Sequence, residues 1–203
     1  REVSWRELPD VVRGGFVPFG AILRPSENVC ALAETFVKSD SARPLSLWVG
    51  AAGAVKVYWN GEQVLRDPAY RGPAADRSVV MVAARKGSNR LLVKVCTAQA
   101  GWGFLLRLGD AQGGVAKGLS YSTVAADVRD IVAVPHPRLP KAPIAPLAYF
   151  DARTRVPKPR TDDLLKAARL MVLTNADDEA ERRAKQLAER AAEQEPRVAT
   201  LKL

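Results

Sequence analysis

The chain has almost none of the residues that usually carry catalysis. Its one histidine, His136, stands between Pro135 and Pro137. A general base needs a fixed partner and a pocket, and a proline-flanked histidine in a connector has neither. The two cysteines, Cys30 and Cys96, lack Cys-x-x-Cys spacing, so a zinc or other transition-metal site has too few ligands. There is no Gly-x-Ser-x-Gly elbow, no Gly-x-Gly-x-x-Gly turn and no phosphate loop. No run of 18 apolar residues exists, so no helical membrane span is expected. Asp127 and Asp130 make a close carboxylate pair, a common spacing in polar stretches. Asp67, Asp76 and Asp110 are loop acids that could attract calcium. That ion needs six or more converging oxygens, so solvated loop acids are the plainer reading. The expectation is a chain that is no enzyme and holds no cofactor and no metal.

What is present is a β pattern. At 203 residues, a substantial core in one domain plus an appendage is expected. Trp5, Phe16, Val17, Phe19, Ile22 and Leu23 are apolar anchors in an opening segment rich in turn residues. Strands are expected at 29–38, 45–49, 55–59, 62–66, 78–84, 90–96 and 102–108, with turns at 50–53 and 86–89 and a loop at 67–77. Asn60-Gly61 is a strong hairpin signal, because both central positions of a type I′ turn need positive φ. Alternation puts Val55, Val57 and Trp59 inward and Lys56 and Tyr58 outward, and likewise Leu91, Val93 and Val95 inward and Arg90, Lys94 and Cys96 outward. Trp59 and Trp102 share faces with aliphatics and read as core. A further strand or helical turn is expected within 121–134. Seven of the fourteen prolines fall in 133–160, which reads as an extended, stiff connector. From Thr161 the pattern turns helical. Thr161 is a candidate cap, Asp162 and Asp163 sit in a first turn, and Leu164, Leu165, Ala168, Leu170 and Met171 form an apolar side. A second helix is expected over about 178–194.

The net charge of +9 is uneven. Residues 1–132 net +5, residues 133–160 net +5 with Asp151 their sole acid, and residues 161–203 net −1. A basic arm can meet nucleic acid or an anionic cell-surface polymer, but a solvated, self-repelling connector is the plainer reading, and no nucleic-acid partner is favoured.

The motifs Val57-Tyr58-Trp59-Asn60-Gly61 and Gly87-Ser88-Asn89-Arg90-Leu91-Leu92-Val93-Lys94-Val95 carry a resemblance. Over residues 29–109 the chain resembles the galactose-binding-like jelly-roll sandwiches, including the non-catalytic N-terminal sandwich of family 2 glycoside hydrolases. The resemblance implies a mainly β, antiparallel jelly-roll sandwich over 1–132. A proline-rich basic linker over 133–160 and a helical segment over 161–203 complete the expected layout. The second helix, with Ala184, Ala188, Ala191 and Ala192 before Pro196, is similar to that of a tetratricopeptide repeat, although the signature Trp and Leu-Gly of the first helix are missing. Several such repeats are normally needed to bury their faces. The layout is similar to bacterial surface or periplasmic proteins that add a transglutaminase-like domain. Arg1 stands where Met would, and the expectation is a processed form of a longer polypeptide.

Three functions remain open. One is a non-catalytic structural or interaction module of a larger extracytoplasmic protein, with other domains or a protein as partner. The second is a carbohydrate-binding module on a polysaccharide. It would stack sugars on Trp48 and Tyr58, expected outward on neighbouring strands, and engage them with Lys56, Lys94 and the 67–77 loop. The third is the accessory part of an enzyme whose active site lies outside the chain. Under the first, residues 133–175 would cover Trp48 and Tyr58. Cys30 and Cys96 read either as two partly buried thiols or as one disulfide between neighbouring strands, which would imply an oxidising compartment.

Overall fold

The computed structural model describes residues 5–8, 12, 15–124, 138–174 and 178–197. Nine strands and four helices follow in the order β1 (Phe16–Val17), α1 (Phe19–Ile22), β2 (Val29–Ser39), β3 (Arg43–Ala52), β4 (Ala54–Trp59), β5 (Glu62–Asp67), β6 (Ser78–Ala84), β7 (Gly87–Thr97), β8 (Gly103–Gly109), β9 (Leu119–Ser122), α2 (Pro146–Thr154), α3 (Thr161–Thr174) and α4 (Asp178–Gln194). The strands form two antiparallel sheets, a four-stranded one in the order β1-β8-β3-β6 and a five-stranded one in the order β5-β4-β7-β2-β9. The mainly β sandwich with C-terminal helices is thus the architecture observed.

Period-2 alternation explains the core. Leu45, Leu47 and Val49 of β3 meet Val55, Val57 and Trp59 of β4 and Leu91, Val93 and Val95 of β7 in one buried cluster, with Trp102 and Phe104 closing it. Trp59 anchors the cluster and donates its indole N–H to the Ala83 carbonyl at 2.8 Å.

The two sequence motifs meet in a buried amide clamp. Asn60, at φ 51°, and Gly61, at φ 89°, make the expected left-handed turn. The Asn60 amide nitrogen donates to Asn89 Oδ1 at 3.0 Å, and its oxygen accepts the Arg90 N–H at 2.8 Å. Asn89 Nδ2 in turn donates to the carbonyls of Val37 (3.2 Å), Arg85 (3.0 Å) and Gly87 (3.1 Å), while its oxygen also takes the Arg85 N–H at 2.9 Å. Both residues are buried. Buried polar groups left without partners cost about 1–3 kcal/mol each, so the clamp is costly to break.

Several local expectations change. β3 runs on through Gly50–Ala52, where a turn was expected, and β7 begins at Gly87 rather than after Asn89. Within the proline-rich segment, residues 146–154 are helical rather than extended. Pro146 occupies the first helical position, where its missing N–H is harmless and its fixed φ suits the helix. Thr161 lies inside α3, and its hydroxyl reaches Gln194 Oε1 of α4 at 3.2 Å instead of serving as the expected cap. Of the strand or helical turn expected within 121–134, β9 supplies Tyr121 and Ser122, and residues 125–134 lie outside the described set.

The helices share a second cluster, in which Leu164, Ala167, Ala168 and Met171 of α3 pack on Ala184, Leu187 and Ala191 of α4, with Leu147 and Phe150 of α2 alongside. Ion pairs bind the three helices, Arg153 to the buried Asp163 at 3.0 Å and both Arg155 and Arg183 to Asp151. The Arg153 guanidinium holds the Asp163 carboxyl below the usual carboxylate range.

Two predictions follow from these contacts. Asn89→Ala should lower the stability of the sandwich by about 3 kcal/mol or more, read by denaturant unfolding, because several buried backbone groups lose their partner at once. For Asp163, a carboxyl with a depressed folded pKa adds stability that is complete above its unfolded value and is lost as the pH falls through the folded one. Thermal unfolding below about pH 4 should therefore weaken the helical unit, and Asp163→Asn should remove much of that acid-side loss.

Candidate functional site

The outer face of the five-stranded sheet gathers most of the residues singled out from the sequence. Cα partners in neighbouring antiparallel strands project to one face. Lys94 of β7 stands opposite Leu32 of β2 on one side and Lys56 of β4 on the other. Lys56 is in turn opposite Arg66 of β5. Leu32, Lys94, Lys56 and Arg66 thus form one row across four strands. Tyr58 and Leu92 pair in the next row, and Cys96, opposite Ala54 and Cys30, makes the row on the other side.

Arg66 reaches this row through a bulge. Trp59 faces Glu62 and Tyr58 faces Gln63, but Val57 faces Leu65, so Val64 is the extra residue. A one-residue shift moves a strand's side chains to the other face. Without it Lys56 would face Leu65.

An open groove of about 240 Å³ runs along the row, lined by Lys56, Arg66, Asp67, Tyr70, Lys94 and Cys96 among others. Tyr70 stands out from the loop beside it, 62% exposed. A smaller depression of about 150 Å³ adjoins Tyr58, Gly61, Arg90 and Leu92. Arg90 is paired with Glu34, and Asp67 is engaged by Arg71 at 3.6 Å and by the Ala69 N–H at 3.0 Å. Lys56, Lys94 and Arg66 have no carboxylate within ion-pair distance among the described residues. Cys30 and Cys96 are joined by a disulfide between directly paired positions of β2 and β7, with Cys30 exposed.

Trp48 does not belong to this surface. β3 lies in the four-stranded sheet and β4 in the other, so Trp48 and Tyr58 look out from opposite sides of the sandwich. The two rings cannot form one platform. Trp48 is also only 5% exposed. The Arg107 guanidinium lies 4.3 Å from its ring centre and is held there by Asp76 at 2.6–3.0 Å. Its indole N–H donates to Ser46 Oγ at 2.9 Å, which donates to the Asp110 carbonyl at 2.6 Å. The cover is therefore mostly the sandwich's own. Residues of the 67–77 loop cross this face, and Ala74 lies so close over Gly50 that a Cβ there would sit 1.5 Å from its carbonyl oxygen. The expected cover from residues 133–175 is represented near Trp48 by Pro143, beside the Gly113 turn. Arg77 adds a bond to the Thr174 carbonyl at 3.4 Å.

The remaining candidates are apart. Asp67 pairs with Arg71 and Asp76 with Arg107, while Asp110 accepts the N–H groups of Gln112 and Gly114 at 2.9 and 2.8 Å. Among the described residues no three His, Cys, Asp or Glu side chains gather as a metal site would require. His136, Asp127 and Asp130 lie outside the described residues.

No protein-family model matches the chain, and no curated protein matches it. Solved structures give partial, distant likenesses. A β-glucosidase from Kluyveromyces marxianus in complex with glucose aligns with 48% of this chain and 13% of its own, at 16% identity and TM-score 0.38. A family 35 carbohydrate-binding module from an environmental isolate aligns with 55% of this chain and 80% of its own, at 16% identity and TM-score 0.38. The GH31 α-xylosidase of Xanthomonas citri aligns with 45% of this chain and 10% of its own, at 12% identity and TM-score 0.32.

The burial of Trp48 sets an expectation. Trp48→Ala should cost about 3–5 kcal/mol by denaturant unfolding, the range for truncating a large buried aromatic. Any binding at the groove should survive in the folded fraction.

Proposed function

We propose that the chain is a non-catalytic interaction module that binds polysaccharide on the open outer face of its five-stranded sheet. The observation that carries this reading is the convergence of Lys56 and Lys94 with Arg66 and Tyr70 along one open groove, with Tyr58 in the adjoining depression. Tyrosine gives a sugar an apolar ring face and a hydroxyl. Lysine and arginine donate hydrogen bonds in several directions to sugar oxygens. The opposite outer face supports the assignment by contrast, because there the chain's own loop and Arg107 already cover the aromatic.

The nearby acids support a binding rather than a catalytic role. Glu34 and Asp67 are held by Arg90 and Arg71, so neither is placed as a free acid or base beside the groove. The Cys30–Cys96 disulfide supports an oxidising, extracytoplasmic setting, where such bonds persist. The helical hairpin, with Leu173 exposed at the end of α3, suits attachment to further helical repeats of a larger protein.

The test is retention of the oxidised chain on a panel of immobilised plant, bacterial and algal polysaccharides. Wild type should be retained by at least one. Tyr58→Ala and Tyr70→Ala should weaken retention several-fold with little change in melting temperature. If wild type is retained by none, or both tyrosine variants bind as it does, the reading fails.

A further inference from the structure

We infer that the ligand of this face is an acidic polysaccharide, with about one carboxylate per sugar, read by the row Lys94–Lys56–Arg66. The inference rests on the polysaccharide reading above and adds the charge of the ligand. Its basis is an arrangement that the fold alone has no reason to keep. Like charges directly opposite on neighbouring strands are destabilising, yet Lys94 faces Lys56 and Lys56 faces Arg66. Three other cations of the sandwich are paired where they stand, Arg90 with Glu34, Arg71 with Asp67 and Arg107 with Asp76. The three in the row have no such partner among the described residues. The row is also assembled by a bulge, which carries Arg66 to the lysine side.

The geometry narrows the ligand. Neighbouring strands lie about 4.8 Å apart, so Lys94 and Arg66 are separated by about 10 Å across the sheet. An extended chain laid across the strands would meet one cation at each strand. The flanking rows are uncharged at their centres, Cys96 and Ala54 on one side and Leu92 and Tyr58 on the other. A polymer with several sulfates per sugar would leave anions over those rows, one of which ends on the Glu34 carboxylate opposite Leu92, whereas a single line of carboxylates would not. Arg66 supplies a planar fork for one carboxylate, and the lysines supply point charges for its neighbours. Tyr70, beside Arg66, and Tyr58, beside Lys56, offer ring surface to the sugars themselves. The disulfide Cys30–Cys96 at the edge of the row favours a polyanion met in an oxidising compartment, and so a polysaccharide over a nucleic acid.

The experiment compares polygalacturonate with the same polymer after carboxyl reduction, by calorimetry or affinity electrophoresis on the oxidised chain. Dextran sulfate and single-stranded DNA serve as rival polyanions. Polygalacturonate should bind at least tenfold more tightly than its reduced form, and added salt should weaken it. Lys56→Gln with Lys94→Gln should lose at least tenfold in affinity while the melting temperature holds or rises, because like charges have been removed. Arg66→Lys should retain part of the binding that Arg66→Ala loses. Equal binding of both polymers would overturn the acidic reading and leave the polysaccharide reading standing. Binding of neither, with no retention on the wider panel, would remove both. Equal or tighter binding of dextran sulfate or DNA would overturn the inference in favour of an unselective polyanion surface. Should the lysine double variant fail to fold, the salt dependence and the Arg66 pair decide by the same criteria.

Discussion

The amide clamp between Asn60 and Asn89 is the interaction on which the sandwich depends most. It joins the turn between β4 and β5, the start of β7 and the backbone of β2 at Val37. These strands are neighbours in the five-stranded sheet, so the clamp works where their registers are set. A slip of one residue would turn Trp59 and Val57 out of the core and bring Lys56 into it. The positions of Lys56 opposite Lys94 and of Tyr58 opposite Leu92 are downstream of that register. The groove is thus a consequence of two buried asparagines that do not themselves line its cationic row.

The two outer faces of the sandwich have different fates, and a loop decides which is which. Between β5 and β6 the chain crosses to the four-stranded sheet, where Ala74 settles on Gly50 and Asp76 orients Arg107 over Trp48. Glycine at position 50 is required by that close backbone approach. The same loop contributes Tyr70 to the groove on the five-stranded sheet. One connection therefore closes one face and furnishes the other.

Much of this was legible in the sequence, and the failures have physical causes. Alternation identified the inward residues of β4 and β7 because burial on one face imposes a period of two. It also placed Trp48 and Tyr58 outward, correctly for each strand. It could not say that their strands belong to different sheets, since alternation carries no information about which strands pair. Arg66 escaped notice because a regular hairpin register would put Leu65, not Arg66, opposite Lys56, and the bulge at Val64 has no strong sequence mark. The helix at 146–154 was hidden by counting prolines. Pro146 starts a helix rather than preventing one, and Leu147 and Phe150 have the helical spacing to reach the α3–α4 cluster. The disulfide was one of two open readings, because strand adjacency is a property of the fold.

The bond between Cys30 and Cys96 also has a mechanical meaning. It closes a covalent ring that contains β3, β4, β5 and β6 and most of β2 and β7. Tension applied along the chain on either side would pass from Cys30 directly to Cys96. The 66 residues of sequence separation, about 220 Å of chain if extended, would be spared that load. The groove residues Lys56, Arg66, Tyr70 and Lys94 all lie inside the ring. A module pulled between an anchored polymer and the rest of its protein would keep its gripping surface folded while its ends were drawn out.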